Sequence, residues 1–237
     1  MQTVVFSFLT PANARSREIA KAFFTCIKDE LSGMSLGKYG KVEPLSRDFS
    51  DDFDGACELW GLDLFWSESL RRGSGAVLHG SSKRHTNISF YFNTPTPDGT
   101  AYVRFLKSAS RLLTVDFSLI HCFEKESRTQ EDEVLEGITS HDIQEALPTV
   151  AWANCFGSPY IELLGRSNLE SAGFQTVESL TENLSFCQLT SDPLDYSSNY
   201  EAFRTRQDSV KSRLGKHYFS GTSKAVVPEF DFSENKS

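Results

Sequence analysis

Five histidines and five cysteines are the residues whose chemistry a site could most readily recruit. His79, His85, His121, His141 and His217 show none of the HxxxH, HxH or HExxH spacings that place two ligands on one helix or strand face. They read as structural or surface residues, and no metal or cofactor is implied. Cys26, Cys57, Cys122, Cys155 and Cys187 are scattered, odd in number and without a CxxC pair. That is the pattern of free, mostly buried thiols in a reducing compartment. A Cys–His nucleophile pair meeting only in space, such as Cys155 with a distant histidine, would need a feature that lowers the thiol pKa. Cys155 stands between Asn154 and Phe156 with no adjacent basic residue, so burial is the favoured reading.

Glycine-rich stretches add no nucleotide site. Gly73-Ser74-Gly75 lacks the Gly-Lys-Ser/Thr of a phosphate loop, and Gly33, Gly37 and Gly40 with Lys41 lack a strand–loop–helix frame. What remains is charge. Glu43, Asp48, Asp51, Asp52, Asp54, Glu58 and Asp63 are opposed nearby only by Arg47, and Trp60 and Trp66 lie beside them. Such a run is ordinarily a solvated face. Read functionally, it is a phosphate-like surface that steers association with a basic cleft and blocks it, with tryptophan as the anchor that interfaces favour. Asp51, Asp52, Asp54, Glu58, Trp60 and Asp63 are the candidate partner contacts. Glu124 to Glu136 is a second, weaker stretch of the same kind. A net charge of −8 argues against direct nucleic-acid binding, which needs clustered Lys and Arg.

The elements that must position these residues follow from periodicity. Met1 to Leu9 alternates as a strand. Thr10-Pro11 predicts a helix start, and Ile19, Phe23, Ile27 and Leu31 repeat at helical spacing until Ser32-Gly33. Gly33 to Asp54 reads as a polar connection, Cys57 to Trp66 as a strand with a bulge at Gly61, and Leu70 to Lys83 as a loop. Asn87 to Asn93 is a strand. A second amphipathic helix follows, capped by Thr100 and running through Tyr102, Phe105, Leu106 and Leu113. Val115 to Phe123 is a strand, 124–136 a solvated linker, and Ser140 to Leu147 a short helix. Leu184 to Thr190 is a strand, and Tyr200 to Leu214 a helix. The tail beyond Phe219 lacks periodicity, with Val226-Val227 and Phe230 able to dock. Nineteen Phe residues argue for a well-filled core, and nothing in the chain is long enough to span a bilayer. The order implies an α+β fold with a mostly antiparallel sheet flanked by amphipathic helices. Its organisation is residues 1–123, a 124–148 linker and short helix, 149–219 and a 220–237 tail, in one unit.

The most legible stretch is Trp152-Ala-Asn-Cys-Phe-Gly-Ser-Pro-Tyr-Ile-Glu-Leu-Leu-Gly165. Its apolar run from Tyr160 to Leu164 reads as a buried strand between turns. This string resembles the C-terminal signature of the immunity protein 52 family. Cys187-Gln188-Leu189-Thr190 with Asp192-Pro193, and Val210-Lys211-x-Arg213-Leu214-Gly215, agree with it. The match spans Trp152 to Phe219. The resemblance implies a cytoplasmic bacterial antitoxin that binds and neutralises a secreted nuclease toxin. That toxin would be a DNase of restriction-endonuclease-like fold delivered by type VI secretion. It also implies no catalysis, no cofactor and no contact with nucleic acid or membrane. Trp152, Asn154, Phe156, Gly157, Pro159, Tyr160, Glu162 and Gly165 are expected to hold the fold, because specificity for one toxin belongs in variable loops. Two alternatives stand beside this reading. One is a hydrolase assembled from residues such as His121, Cys155 and Glu162, and the other an adaptor that loads a toxin for export.

Overall fold

Gln2–Thr10 forms the first strand, β1, in the computed structural model, which describes residues 1–80, 83–222 and 224–233. The chain continues as α1 (Arg17–Glu30), β2 (Leu36–Gly40), β3 (Arg47–Asp48), α2 (Phe53–Trp60), β4 (Leu64–Glu68), β5 (Gly73–Leu78), β6 (Thr86–Thr94), α3 (Gly99–Leu113) and β7 (Phe117–Glu124). Its second part comprises α4 (Gln130–Glu136), α5 (Ser140–Glu145), β8 (Ala153–Gly157), α6 (Ser158–Leu164), α7 (Arg166–Ser171), β9 (Thr176–Thr181), β10 (Leu184–Gln188), α8 (Asp195–Ser198) and α9 (Tyr200–Leu214). The strands join in one sheet of order β3-β2-β4-β5-β6-β1-β7-β8-β10-β9, with every strand pair antiparallel. The α+β expectation therefore holds.

Alternation along each strand divides the residues between two faces. Trp66, Gly75, Phe90, Phe6 and Ile120 lie in one register row and point to the first face. There α1, α2 and α3 cover them with an aromatic core. Phe6 stacks on Phe90 at 4.8 Å and meets Phe105 edge-on at 5.3 Å, while Phe24 stands against Trp66 at 5.7 Å. The neighbouring row, Phe65, Ala76, Ser89, Ser7, Leu119, Asn154 and Cys187, points to the second face. Helices α4 to α9 cover that face over β1, β7, β8 and β10, whereas Phe65, Ala76 and Ser89 are only half-buried.

Several boundaries differ from the sequence expectation, each for a local reason. Tyr160 to Leu164 is helical. Gly157 caps α6, Pro159 sits in its first turn, and Tyr160 and Leu164, four apart, are its buried residues. Cys57 to Trp66 is not one strand. Ala56, Cys57 and Trp60 bury one side of α2, which Asp52 caps, Gly61 is its C-cap rather than a bulge, and the strand begins only at Leu64. The first helix is capped by Ser16, which accepts the Ile19 N–H, while Thr10 ends β1 and donates to the Leu113 carbonyl. Asp98, not Thr100, caps α3. The expected connection at 33–54 contains β2 and β3, and the expected loop at 70–83 contains β5.

The 124–136 stretch is not a free linker either: Lys125–Ser127 forms a 3-10 turn, and Thr129 and Asp132 close a capping box on α4. Residue α9 boundaries agree with expectation at Tyr200 and Leu214. In the tail, Phe230 docks against Tyr160 at 6.0 Å, while Val226 stays exposed. Residues 81–82 of the expected loop, and 223 and 234–237 of the tail, lie outside the described residues. Among the described residues, no helix is long and apolar enough to cross a membrane.

Candidate functional site

The acidic residues singled out in the sequence converge on the turn before α2 and on α2 itself. Backbone N–H groups of Asp51 and Asp52 both donate to the Asp48 carbonyl, which forms the turn. Asp52 then caps the helix, its Oδ1 accepting the Gly55 N–H at 2.8 Å and its Oδ2 accepting the Tyr39 hydroxyl at 2.7 Å. The Tyr39 hydrogen bond, with the Gly55 bond second, holds the Asp52 carboxyl below its ordinary pKa. One turn on, Asp54 and Glu58 are four apart and so share a helix face. Arg17 of α1 lies between them, 2.8 Å from Asp54 and 3.6 Å from Glu58, yet their side chains remain 68% and 67% exposed. Asp51 is exposed as well. Arg17 and Tyr39 organise this face, and neither is signalled by its sequence neighbourhood, since their partners come from other elements.

Two further candidates are placed differently. Trp60 is fully buried, its indole N–H donating to the Ala14 carbonyl at 2.6 Å and its ring lying 5.2 Å from Phe23. It anchors α2 from within the core and offers no surface to solvent. Asp63 is half-buried, and its carboxylate accepts the His79 N–H at 2.8 Å. The face offered to solvent is therefore Asp51, Asp54 and Glu58, beside the capping Asp52. Unlike it, the second acidic stretch is largely consumed internally. Asp132 is buried against His121, Glu131 bonds Arg204, and Glu136 pairs with Arg128.

The signature residues do pack. Trp152 and Asn154 are fully buried, with the Trp152 indole donating to the Thr190 carbonyl at 2.9 Å and Asn154 bonding the Ala151 backbone in both directions. Phe156 and Tyr160 flank Phe117, both with ring centroids 5.7 Å away. Gly157 lies so close to the residues before β7 that a Cβ would come 2.2 Å from the Val115 carbonyl oxygen. Gly165 adopts φ +81°, and Pro159 opens α6. Glu162 is exposed and accepts the Ser158 hydroxyl.

The hydrolase set does not assemble. Cys155 pairs in register with Ser118, and His121 is three positions further along β7, so period-two alternation sends the two side chains to opposite faces. Burial pushes the Cys155 thiol up to about 11, the reverse of an activated nucleophile. Burial opposes ionisation of Asp132, but the hydrogen bond and charge of His121 outweigh it, and the carboxyl lies well below its ordinary range.

A different Ser–His–Asp chain is present. The Ser140 hydroxyl lies 2.8 Å from His85 Nδ1, and His85 Nε2 lies 3.0 Å from Asp116 Oδ2. Ser140 Oγ also accepts the His85 backbone N–H at 3.0 Å. Phe230 and Phe232 stand edge-on to the imidazole at 4.7 and 4.9 Å. The chain ties α5 to β6 and β7 as a buried strut.

No family model matches this chain, and no curated protein matches it. Among solved structures it is similar to the Pseudomonas aeruginosa T6SS protein PA0821, at 11% identity and a TM-score of 0.47 over 90% of this chain and 83% of that one. A likeness so distant fixes neither family nor partner. What the site can do is read from its own geometry. Three exposed carboxylates, Asp54 and Glu58 on a short capped helix and Asp51 in the turn before it, make an anionic surface braced by an aromatic core. Such a surface can attract and orient a basic protein. The five cysteines form no disulfide, and four of them are buried.

Proposed function

We propose that this chain is an immunity protein: it binds a cognate secreted nuclease toxin, a DNase delivered by type VI secretion, and neutralises it in the cytoplasm without chemistry of its own. The observation that carries this reading is the α1–α2 face, where Asp51, Asp54 and Glu58 remain presented to solvent while Arg17, Asp52 and Tyr39 fix their positions. The residue-level resemblance of Trp152 to Phe219 to immunity protein 52 supports it, as does a net charge of −8. A nuclease must carry Lys and Arg along its substrate path to hold phosphates. Carboxylates spaced along α2 and the turn before it occupy that path as a phosphate backbone would.

Protection from a lethal enzyme requires very little free toxin, so the affinity is nanomolar or better, about −12 kcal/mol. The deciding experiment mixes the purified chain with the nuclease-like product of the neighbouring gene and follows calorimetry and DNA cleavage in the same samples. A tight complex with cleavage abolished near equimolar ratio is the expected result. Tight binding with cleavage intact would replace this reading by an export adaptor, and absence of binding would overturn it.

A further inference from the structure

Leu62 is among the most exposed large apolar residues of the described chain, at 57%. Single exposed leucines are common and by themselves mean little. What distinguishes this one is the turn that carries it. Trp60 closes α2, and Gly61 keeps right-handed angles, φ −69° and ψ −10°, so the helical path runs on to Leu62. There the Leu62 N–H donates to the Leu59 carbonyl at 2.9 Å. Asp63 then turns the chain into β4 at φ +86°, a left-handed conformation that a residue with a Cβ adopts only at a cost.

The turn is fixed from outside α2. Arg15, ahead of α1, donates to the Gly61 carbonyl at 2.8 Å. The His79 N–H donates to the Asp63 carboxylate, and His79 Nε2 lies 2.5 Å from the Trp60 carbonyl. Trp60 itself is locked in the aromatic core by its bond to Ala14. A strained residue persists only where its surroundings over-determine it, and these bonds do so for Asp63. The outcome is an apolar side chain held out in water on a rigid backbone. A leucine fixed in this way has little further backbone freedom to lose on binding. Leu78, 44% exposed, directly precedes His79, so a second large apolar side chain flanks the same turn.

Asp54, Glu58 and Leu62 are four apart, a spacing that keeps residues on one helix face with about 6 Å between successive members. Two carboxylates and an apolar side chain therefore stand in one row. The cations beside that row are engaged, Arg17 by Asp54 and Glu58 and Arg15 by the Gly61 carbonyl. We infer that Leu62 is the apolar anchor of this face. It enters an apolar socket on the basic partner, about one helical turn beyond the cations that meet Asp54 and Glu58. The inference rests on the immunity reading and adds to it the residue that keeps the complex together. Trp60, expected from sequence to be that anchor, is buried, and the role falls to the side chain two positions on. Exposed carboxylates raise the rate of encounter but hold a complex weakly. Removing the surface of Leu62 from water acts only at contact, so it slows dissociation.

The test mixes the full chain and its variants by stopped flow with the nuclease-like product of the neighbouring gene. Leu62→Ala is expected to dissociate at least about tenfold faster, with association within about twofold of the parent. Leu62→Met, which keeps the apolar volume, restores slow dissociation. Leu70→Ala, 70% exposed beyond the opposite end of β4, changes neither rate. Urea midpoints equal to that of the parent verify each fold. Dissociation of Leu62→Ala within about twofold of the parent, or a loss confined to association, would overturn the anchor while the immunity reading stands. A parent chain that forms no complex would overturn that reading, and the anchor with it.

Discussion

Asp132 shows how little of a residue's role its charge alone conveys. Within the most charged stretch of the chain it is a buried carboxylate whose ionised form is held by His121 and Thr129. Its folded pKa is depressed to about 2, so the unfolded chain binds the proton more readily. The stability it supplies is present above the unfolded carboxylate range and is lost as pH falls towards the folded value. Urea midpoints followed by tryptophan fluorescence should therefore decline from about pH 4 to about pH 2. Asp132→Asn should flatten that limb and cost about 3 kcal/mol at neutral pH, because it leaves His121 buried without its carboxylate. An acid limb as steep in the variant as in the parent would remove this assignment. Tyr160 makes the converse case. Its hydroxyl is buried with no hydrogen-bond partner among the described residues, so Tyr160→Phe should be neutral or raise stability by up to about 1 kcal/mol. A loss larger than that in the same urea experiment would mean that the hydroxyl is bonded.

Whole elements were legible where one period ran long enough to be unambiguous. β1, β6 and β7 alternate over eight or nine residues, and α3 and α9 sustain helical spacing over fifteen. Short apolar runs were not, because five residues such as Tyr160 to Leu164 satisfy both periods. There the deciding information was Gly157 and Pro159, which set a helix start rather than a turn into a strand. At the site, the exposed carboxylates could be read from composition, but the burial of Trp60 could not. Its indole partner, Ala14, is 46 positions away, and its ring neighbours come from α1. The signature glycine has an element-scale reason that sequence could not supply: Val115 and Asp116, leading into β7, pass so close to the end of β8 that Gly157 has no room for a side chain. Gly157→Ala should cost about 1–3 kcal/mol by forcing the Val115 backbone aside. Gly137→Ala is the matched control, since its Cβ would come no nearer than 3.6 Å to the Glu133 carbonyl oxygen. Equal urea midpoints for the two variants would contradict this account of the motif.

At the scale of the whole molecule, a single sheet runs unbroken through the β7–β8 pairing, so both parts of the chain share one frame. Gln2 at its start bonds both Glu124 and Ser197, which is 195 positions away. That frame carries the exposed α1–α2 carboxylates on its helix-covered side. Exposed rim charges of this kind act on the rate of encounter more than on the lifetime of the complex. The consequence is a kinetic prediction. With Asp51, Asp54 and Glu58 all changed to Lys, association with the toxin should slow by at least about tenfold at low ionic strength and lose most of its salt dependence. Dissociation should change far less. Asp52 is deliberately retained, because it caps α2 and receives the Tyr39 hydroxyl, so the reversed face keeps its backbone. Stopped-flow mixing across a salt series separates the two rates. If association is unchanged, the toxin docks away from α2.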